Sequence, residues 1–332
     1  VFTAFVASAS LYFSDNGVDP RQVVAQAARA ADPTVLPAAD TGMQPAPGRA
    51  AQPAVQPDPD PAAILMAAYG SPKDNAVIKG AELTLVSDCM KRKDFRYVIP
   101  GITQASEQEW HDKFHLATND DVEKSSREGY GSYALAGGRK KSPTPNGDYV
   151  FALPKEEQRQ WLRGLNGSGK QITAELPGGG SYGTPADGCL AEARTELYGD
   201  LNAYAIAYGA VSTFTTPVAK AMAQDSEVTA AVTRWSGCMS QRDFAFKTWN
   251  DAKKAVAALY ARDKSPLPAP HPQETRIAVA DAECSQATGK SKVERDRYNH
   301  HQSALFRLRE AHIRAYHTMH AQALAKAQTI LK

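Results

Sequence analysis

The chain has 332 residues, 42% of them apolar and 22% charged, enough for a sizeable core in one large domain or two smaller ones. Its 38 Lys and Arg nearly cancel its 36 Asp and Glu, leaving +2, and no basic stripe appears, which argues against a nucleic-acid-binding role. No stretch reaches the ~18 to 20 consecutive apolar residues of a membrane-spanning helix.

Residues 1–31 begin with an apolar run, Val1 to Phe13, that reads as an ordinary buried or interface segment. Ala7-Ser8-Ala9 has the small-residue spacing of a signal-peptidase site without a basic region before it, and the chain starts without Met. These features are compatible with an upstream export segment already removed. Val18 to Ala31 reads as a short helix, with Asp19 as its cap and Pro20 in its first turn. Residues 32–62 interleave eight prolines with Ala, Gln, Asp and Gly, a composition that favours extended, polyproline-like tethers.

From Ala63 onward the pattern is mainly helical, with predicted helices over 75–93, 105–116, 154–163, 187–209, 217–242, 249–262, 273–288 and about 291–331. In the last, Leu305, Leu308, His312, Tyr316, Met319 and Ala323 form a stripe for packing on another helix. Residues 129–186, rich in Gly, Pro, Ser and Tyr, read as a long loop or small β insertion. The expected architecture is a duplicated helical domain with halves over 63–210 and 211–332, a small irregular or β insertion, two disulfides and a long C-terminal helix.

The duplication rests on one motif. Cys89-Met90-Lys91-Arg92-Lys93-Asp94-Phe95-Arg96-Tyr97 recurs as Cys238-Met239-Ser240-Gln241-Arg242-Asp243-Phe244-Ala245-Phe246, and each copy is followed by another cysteine, Cys189 and Cys284. Four cysteines allow three pairings, and duplication favours Cys89–Cys189 with Cys238–Cys284. A metal site is the alternative, although no two cysteines have zinc-knuckle spacing. Four unpaired thiols in a reducing compartment are a further one, and disulfides suit an exported chain better.

The order of these motifs also carries a resemblance. Tyr130-Gly131, then Gly188-Cys189-Leu190-x-Glu192-Ala193-Arg194, Trp235-Ser236-x-Cys238-Met239 and Glu274-Thr275-x-Ile277-Ala278-Val279-Ala280-Asp281-x-x-Cys284 follow the first Cys-Met helix. Over about residues 69 to 325 the chain resembles a family of uncharacterised exported or lipid-anchored proteins of Streptomyces and other actinobacteria. It departs from that family at Asp94 and Asp243, where a glycine often follows the Cys-Met helix. The resemblance implies an envelope or extracellular location and no particular reaction.

Chemistry-bearing motifs are sparse. Gly164 to Lys170 mimics a phosphate-binding loop but has Gln171 where Ser or Thr is needed, and a helix-like run before it. His111 and His115, four apart, can begin a metal site, but Asp112 stands where the zinc hydrolases carry Glu. His312, His317 and His320 on the last helix are weaker candidates for metal or haem, and their protonation offers a way to loosen a packed seam in mild acid. No nucleophile elbow is present, and no motif names a cofactor. Tyr130, Tyr133, Tyr149, Trp161 and Tyr182 lie in or beside the Gly-rich insertion. They are expected either to form a binding surface or to serve as core of a small β layer.

The expected function is an exported binding or interaction protein without catalytic activity, a subunit of a larger assembly. A protein partner or envelope component is the expected ligand, nucleic acid is not, and peripheral or anchored membrane association fits the layout. The competing readings are a secreted hydrolase with its site near residues 111–186, and a metal or haem protein using the C-terminal histidines.

Overall fold

The computed structural model describes residues 60–102, 104–136, 145–263 and 265–332. The expected N-terminal segment, the helix over 18–31 and the tether as far as residue 59 lie outside them. The described residues from 60 onward form one compact unit of helices with a small two-stranded sheet.

Its first helix, α1 (Pro61–Tyr69), starts where Asp60 accepts the N–H of Ala62 and Pro61 occupies the first turn. It leads into α2 (Pro72–Arg92), capped by Ser71. Three short helices follow: α3 (Glu107–Asp112), held by a capping box between Ser106 and Glu109, α4 (Val122–Glu128) and α5 (Pro145–Ala152).

After α6 (Lys155–Asn166), strands β1 (Gln171–Glu175) and β2 (Ser181–Pro185) form the antiparallel hairpin of the predicted insertion, with Gln171 opposite Pro185 and Glu175 opposite Ser181. The Gly164 to Lys170 run therefore closes a helix and enters a strand, the reverse of a phosphate-binding loop. Within it, Gly167 meets Gly188 so closely that a Cβ on Gly188 would lie 2.3 Å from the Gly167 nitrogen, and both have φ near +80°. Neither position tolerates a side chain.

Two predicted helices are each split. The run over 187–209 breaks into α7 (Gly188–Tyr198) and α8 (Leu201–Ser212) because Gly199 ends the first in a positive-φ conformation and Asp200 caps the second. The run over 217–242 breaks into α9 (Thr215–Gln224) and α10 (Ser226–Ser240) at Asp225. The Asp225 carboxylate accepts the N–H groups of Glu227 and Val228, and also Arg297 Nε at 2.7 Å and His301 Nε2 at 2.8 Å. One side chain thus starts α10 and ties it to the last helix.

The chain ends with α11 (Trp249–Leu259), α12 (Pro272–Thr288) and α13 (Lys290–Ile330). α13 packs against α1, α2, α7, α8, α9, α10 and α12, so most of the core is assembled along it. Its buried stripe is rotated from the expected one: Leu305, Tyr316 and Ala323 are buried, but Arg309, Ile313 and His320 take the places expected for Leu308, His312 and Met319. Leu308 is 59% exposed.

Arg309 is inside because distant backbone receives it. Its guanidinium donates to the carbonyls of Pro177 (2.9 Å), Gly179 (2.6 Å) and Ala210 (3.0 Å) and to Thr213 Oγ1 (3.2 Å). The fork clamps the β1–β2 turn onto α8, using the planar donor geometry that only arginine has.

Candidate functional site

The disulfides are Cys89–Cys189, joining α2 to α7, and Cys238–Cys284, joining α10 to α12. Each is overlain by an arginine–glutamate bridge, Arg92 of α2 with Glu192 of α7, and Arg242, in the turn just past α10, with Glu283 of α12. The Cys-Met segments share a local geometry. Asp94 has φ +60° and Asp243 φ +66°; Phe95 N donates to Met90 O and Asp94 N to Lys91 O, while Phe244 N donates to Met239 O and Asp243 N to Ser240 O. This is the Schellman helix stop, with methionine and phenylalanine as its hydrophobic clasp. The aspartates stand at the left-handed position that glycine favours.

Two buried carboxylates of α12, Glu274 and Asp281, gather a polar cluster. Asp281, fully buried, accepts Trp235 Nε1 (2.8 Å) and Ser285 Oγ (3.2 Å) on one oxygen, and Tyr130 Oη (2.9 Å) and Asn119 Nδ2 (3.1 Å) on the other. Glu274, also fully buried, accepts the backbone N–H groups of Tyr130 (3.0 Å) and Ser132 (2.9 Å) and the Tyr260 hydroxyl. Both carboxylates are saturated with donors, the condition under which such groups are tolerated inside a protein. They fasten the segment carrying Tyr130 to α12, and burial with the two carboxylates raises the Tyr130 phenol far above its ordinary range.

A second polar interior lies where α1, α2, α7, α8, α13 and β2 meet. Tyr69, Tyr182, Tyr198, Tyr204, Tyr208 and Tyr316 form a chain of rings: Tyr204 stacks on Tyr208 at 5.2 Å, Tyr208 meets Tyr182 edge-on at 5.0 Å, and the Tyr69 and Tyr208 hydroxyls are 3.4 Å apart. Beside them Arg194 donates to Thr184 Oγ1 (2.8 Å) and approaches Glu82 (3.7 Å). Burial alone would raise the Glu82 carboxyl, but Lys79 and Arg194 hold it below its usual value. Desolvation pushes the phenols of Tyr204 and Tyr316 well up, and proximity to Tyr69 with burial does the same to Tyr208. At ordinary pH these are neutral hydroxyls beside the Glu82 carboxylate and its two cationic partners, Lys79 and Arg194.

At the outer end of this cluster, Tyr69, Trp110 and Phe114 form three mutually inclined walls. Their centroids lie 5.2, 5.7 and 5.9 Å apart and their planes 62° to 79° from one another. Lys113 Nζ sits among them, 3.5 Å from the Tyr69 centroid, 5.0 Å from Trp110 and 5.5 Å from Phe114. Among the described residues no carboxylate pairs with it, and burial lowers its pKa to about 8. In the sequence, Trp110, Lys113 and Phe114 flank the expected His111 and His115 at spacings of three and four, the one local sign of this box.

The expected site residues are dispersed. His111 and His115 stack in parallel at 3.8 Å on the outer side of that turn, with His115 Nδ1 2.9 Å from the His111 carbonyl. His320 is buried under the α1–α2 turn, where its ring fills the space a Cβ on Gly70 would need; His317 is exposed and His312 half-buried. Among the described residues no three His, Cys, Asp or Glu are placed to hold a metal ion. Of the five aromatics, Tyr130 and Tyr133 pack with α10–α12, Tyr149 and Trp161 with α2, α6 and α7, and Tyr182 with α8. Trp161 is buried and donates to the Arg96 carbonyl at 3.0 Å. The five therefore occupy three separate clusters.

No protein-family model, curated protein or solved structure matches the chain. No described helix is long and apolar enough to cross a membrane. The two disulfides point to folding in an oxidising, extracytoplasmic environment.

Proposed function

We propose that the protein is an exported binding or interaction protein of the cell envelope or exterior, without catalytic activity of its own, related to the actinobacterial exported proteins it resembles. The observation that carries this reading is that Glu274, Asp281, Glu82, Arg194 and Arg309, the convergent ionisable groups, are engaged with partners inside the fold. A general acid or base needs a lone pair or proton facing substrate, and these groups are already committed to joining helices. The motif residues act in the same way: Trp235 bonds Asp281, Ser236 bonds the Phe246 carbonyl, and Cys238 bonds Cys284.

Fractionation of producing cells, with alkylation before and after reduction, tests the location. The expected result is protein outside the cytoplasmic membrane whose four cysteines label only after reduction. Cytoplasmic protein with four free thiols would overturn it. Native mass spectrometry of the same material is expected to show a retained partner. Turnover of ester, peptide or glycoside substrates by the pure protein would overturn the non-catalytic part.

A further inference from the structure

We infer that the Tyr69–Trp110–Phe114 box is a binding site for a quaternary ammonium group, with Lys113 as its built-in plug; this deepens the binding-protein reading above. Three inclined aromatic faces around one cation form the arrangement by which proteins recognise alkylated ammonium ions. The walls are held in place before any ligand arrives. Asn75 Nδ2 donates to the Tyr69 carbonyl at 2.8 Å, Gln302 Nε2 to the Phe114 carbonyl at 3.0 Å, and the capping box fixes the helix carrying Trp110. Trp110 and Phe114 are 8% and 2% exposed, whereas Tyr69 and Lys113 are half-buried, so the box opens on the side where the lysine lies.

The chemistry of the box favours a cation without N–H groups. A primary ammonium is strongly hydrated and requires acceptors for its protons. Lys113 finds no protein acceptor among the described residues, and burial lowers its pKa to about 8. A trimethylammonium group has no proton to satisfy, is weakly hydrated, and presents methyl groups to the rings. It thus loses less on entry than the lysine does. Such a group is carried by free choline-like solutes and by choline lipids.

The test uses the whole protein and its Lys113→Ala variant, which removes a half-buried side chain and leaves the walls intact. The readout is the Trp110 indole N–H resonance, assigned by its absence in Trp110→Phe. Tetramethylammonium and choline are expected to shift it saturably, with Lys113→Ala binding at least about tenfold more tightly than wild type, the range that one cation–π contact supplies. The uncharged isostere 3,3-dimethylbutanol is expected to bind about tenfold more weakly than choline. A correctly melting Lys113→Ala variant that gives no saturable shift overturns the proposal, as does equal binding of the isostere, which would make the box merely apolar. Vesicles of phosphatidylcholine against phosphatidylglycerol identify the source: preferential retention on the former assigns a lipid headgroup, and retention on neither assigns a free solute. These outcomes are independent of the fractionation result, so a failed box leaves the exported reading standing, and a cytoplasmic location leaves the binding data standing.

Discussion

Replacing Asp94 and Asp243 by glycine is expected to stabilise the protein. Both are exposed non-glycine residues held at positive φ, where an L-residue is disfavoured by roughly 1–2 kcal/mol, the lower end applying to aspartate. Each also places a negative charge at the negative end of a helix, an exposed contribution of roughly 0.3–1 kcal/mol. Glycine relieves both and costs about 0.5–1 kcal/mol in extra unfolded-state freedom. The net gain is about 0.5–1 kcal/mol per site. Among the described residues neither carboxylate has a hydrogen-bond or ion-pair partner to lose. The sites lie beside separate core clusters, so the double variant should gain about 1–2 kcal/mol, a rise in Tm of roughly 2–6 °C. Calorimetry and urea unfolding at unchanged m-value measure it. Alanine at the same positions removes the charge but keeps the Cβ, and is expected to be neutral or destabilising. Alanine stabilising as much as glycine would refute the backbone argument, and a lower Tm for glycine would refute the whole of it.

Removing a disulfide as a Cys→Ser pair should destabilise according to the loop it closes. With separations of 100 and 46 residues, the chain-entropy relation gives about 4.7 kcal/mol for Cys89–Cys189 and about 4 for Cys238–Cys284; denaturant titration should rank them in that order. Arg309→Ala leaves three carbonyls without their donor and should cost about 3–5 kcal/mol. Arg309→Lys should recover little, since an ammonium cannot span the same acceptors, and the loss should appear as faster amide exchange in β1 and β2. Burial holds His320 below its ordinary pKa, with Asp74 opposing and His317 assisting. Below about pH 6.5 the unfolded chain therefore binds a proton that the folded state resists. Stability should be level above that pH and fall beneath it, and His320→Gln should flatten the slope; an unchanged slope would assign it to other groups.

Helical class, the hairpin region and the two Cys-Met helix stops are legible because each depends on neighbours along the chain. Cys-Met-x-x-x-Asp-Phe is a complete local sentence: the methionine and phenylalanine that clasp, and the residue that turns, lie within six positions. The breaks at Gly199-Asp200 and Asp225 were written in equally local terms, but continuous apolar spacing on both sides hid them. The register of α13 was not legible. Over Lys290–Ile330 several stripes satisfy helical spacing, and what selects Arg309 and His320 for the inside is the set of carbonyls and the glycine turn brought there by other segments. The aromatic box belongs to the same class. Tyr69 ends α1 while Trp110, Lys113 and Phe114 belong to a later turn, and no local pattern shows that they face one another. The sequence determines where helices begin, stop and staple, because caps, left-handed turns and cysteine order act over short range. Only the packing of distant segments decides which polar side chains are satisfied inside and which cation meets which rings, because desolvation and ring geometry depend on the neighbours that tertiary folding supplies.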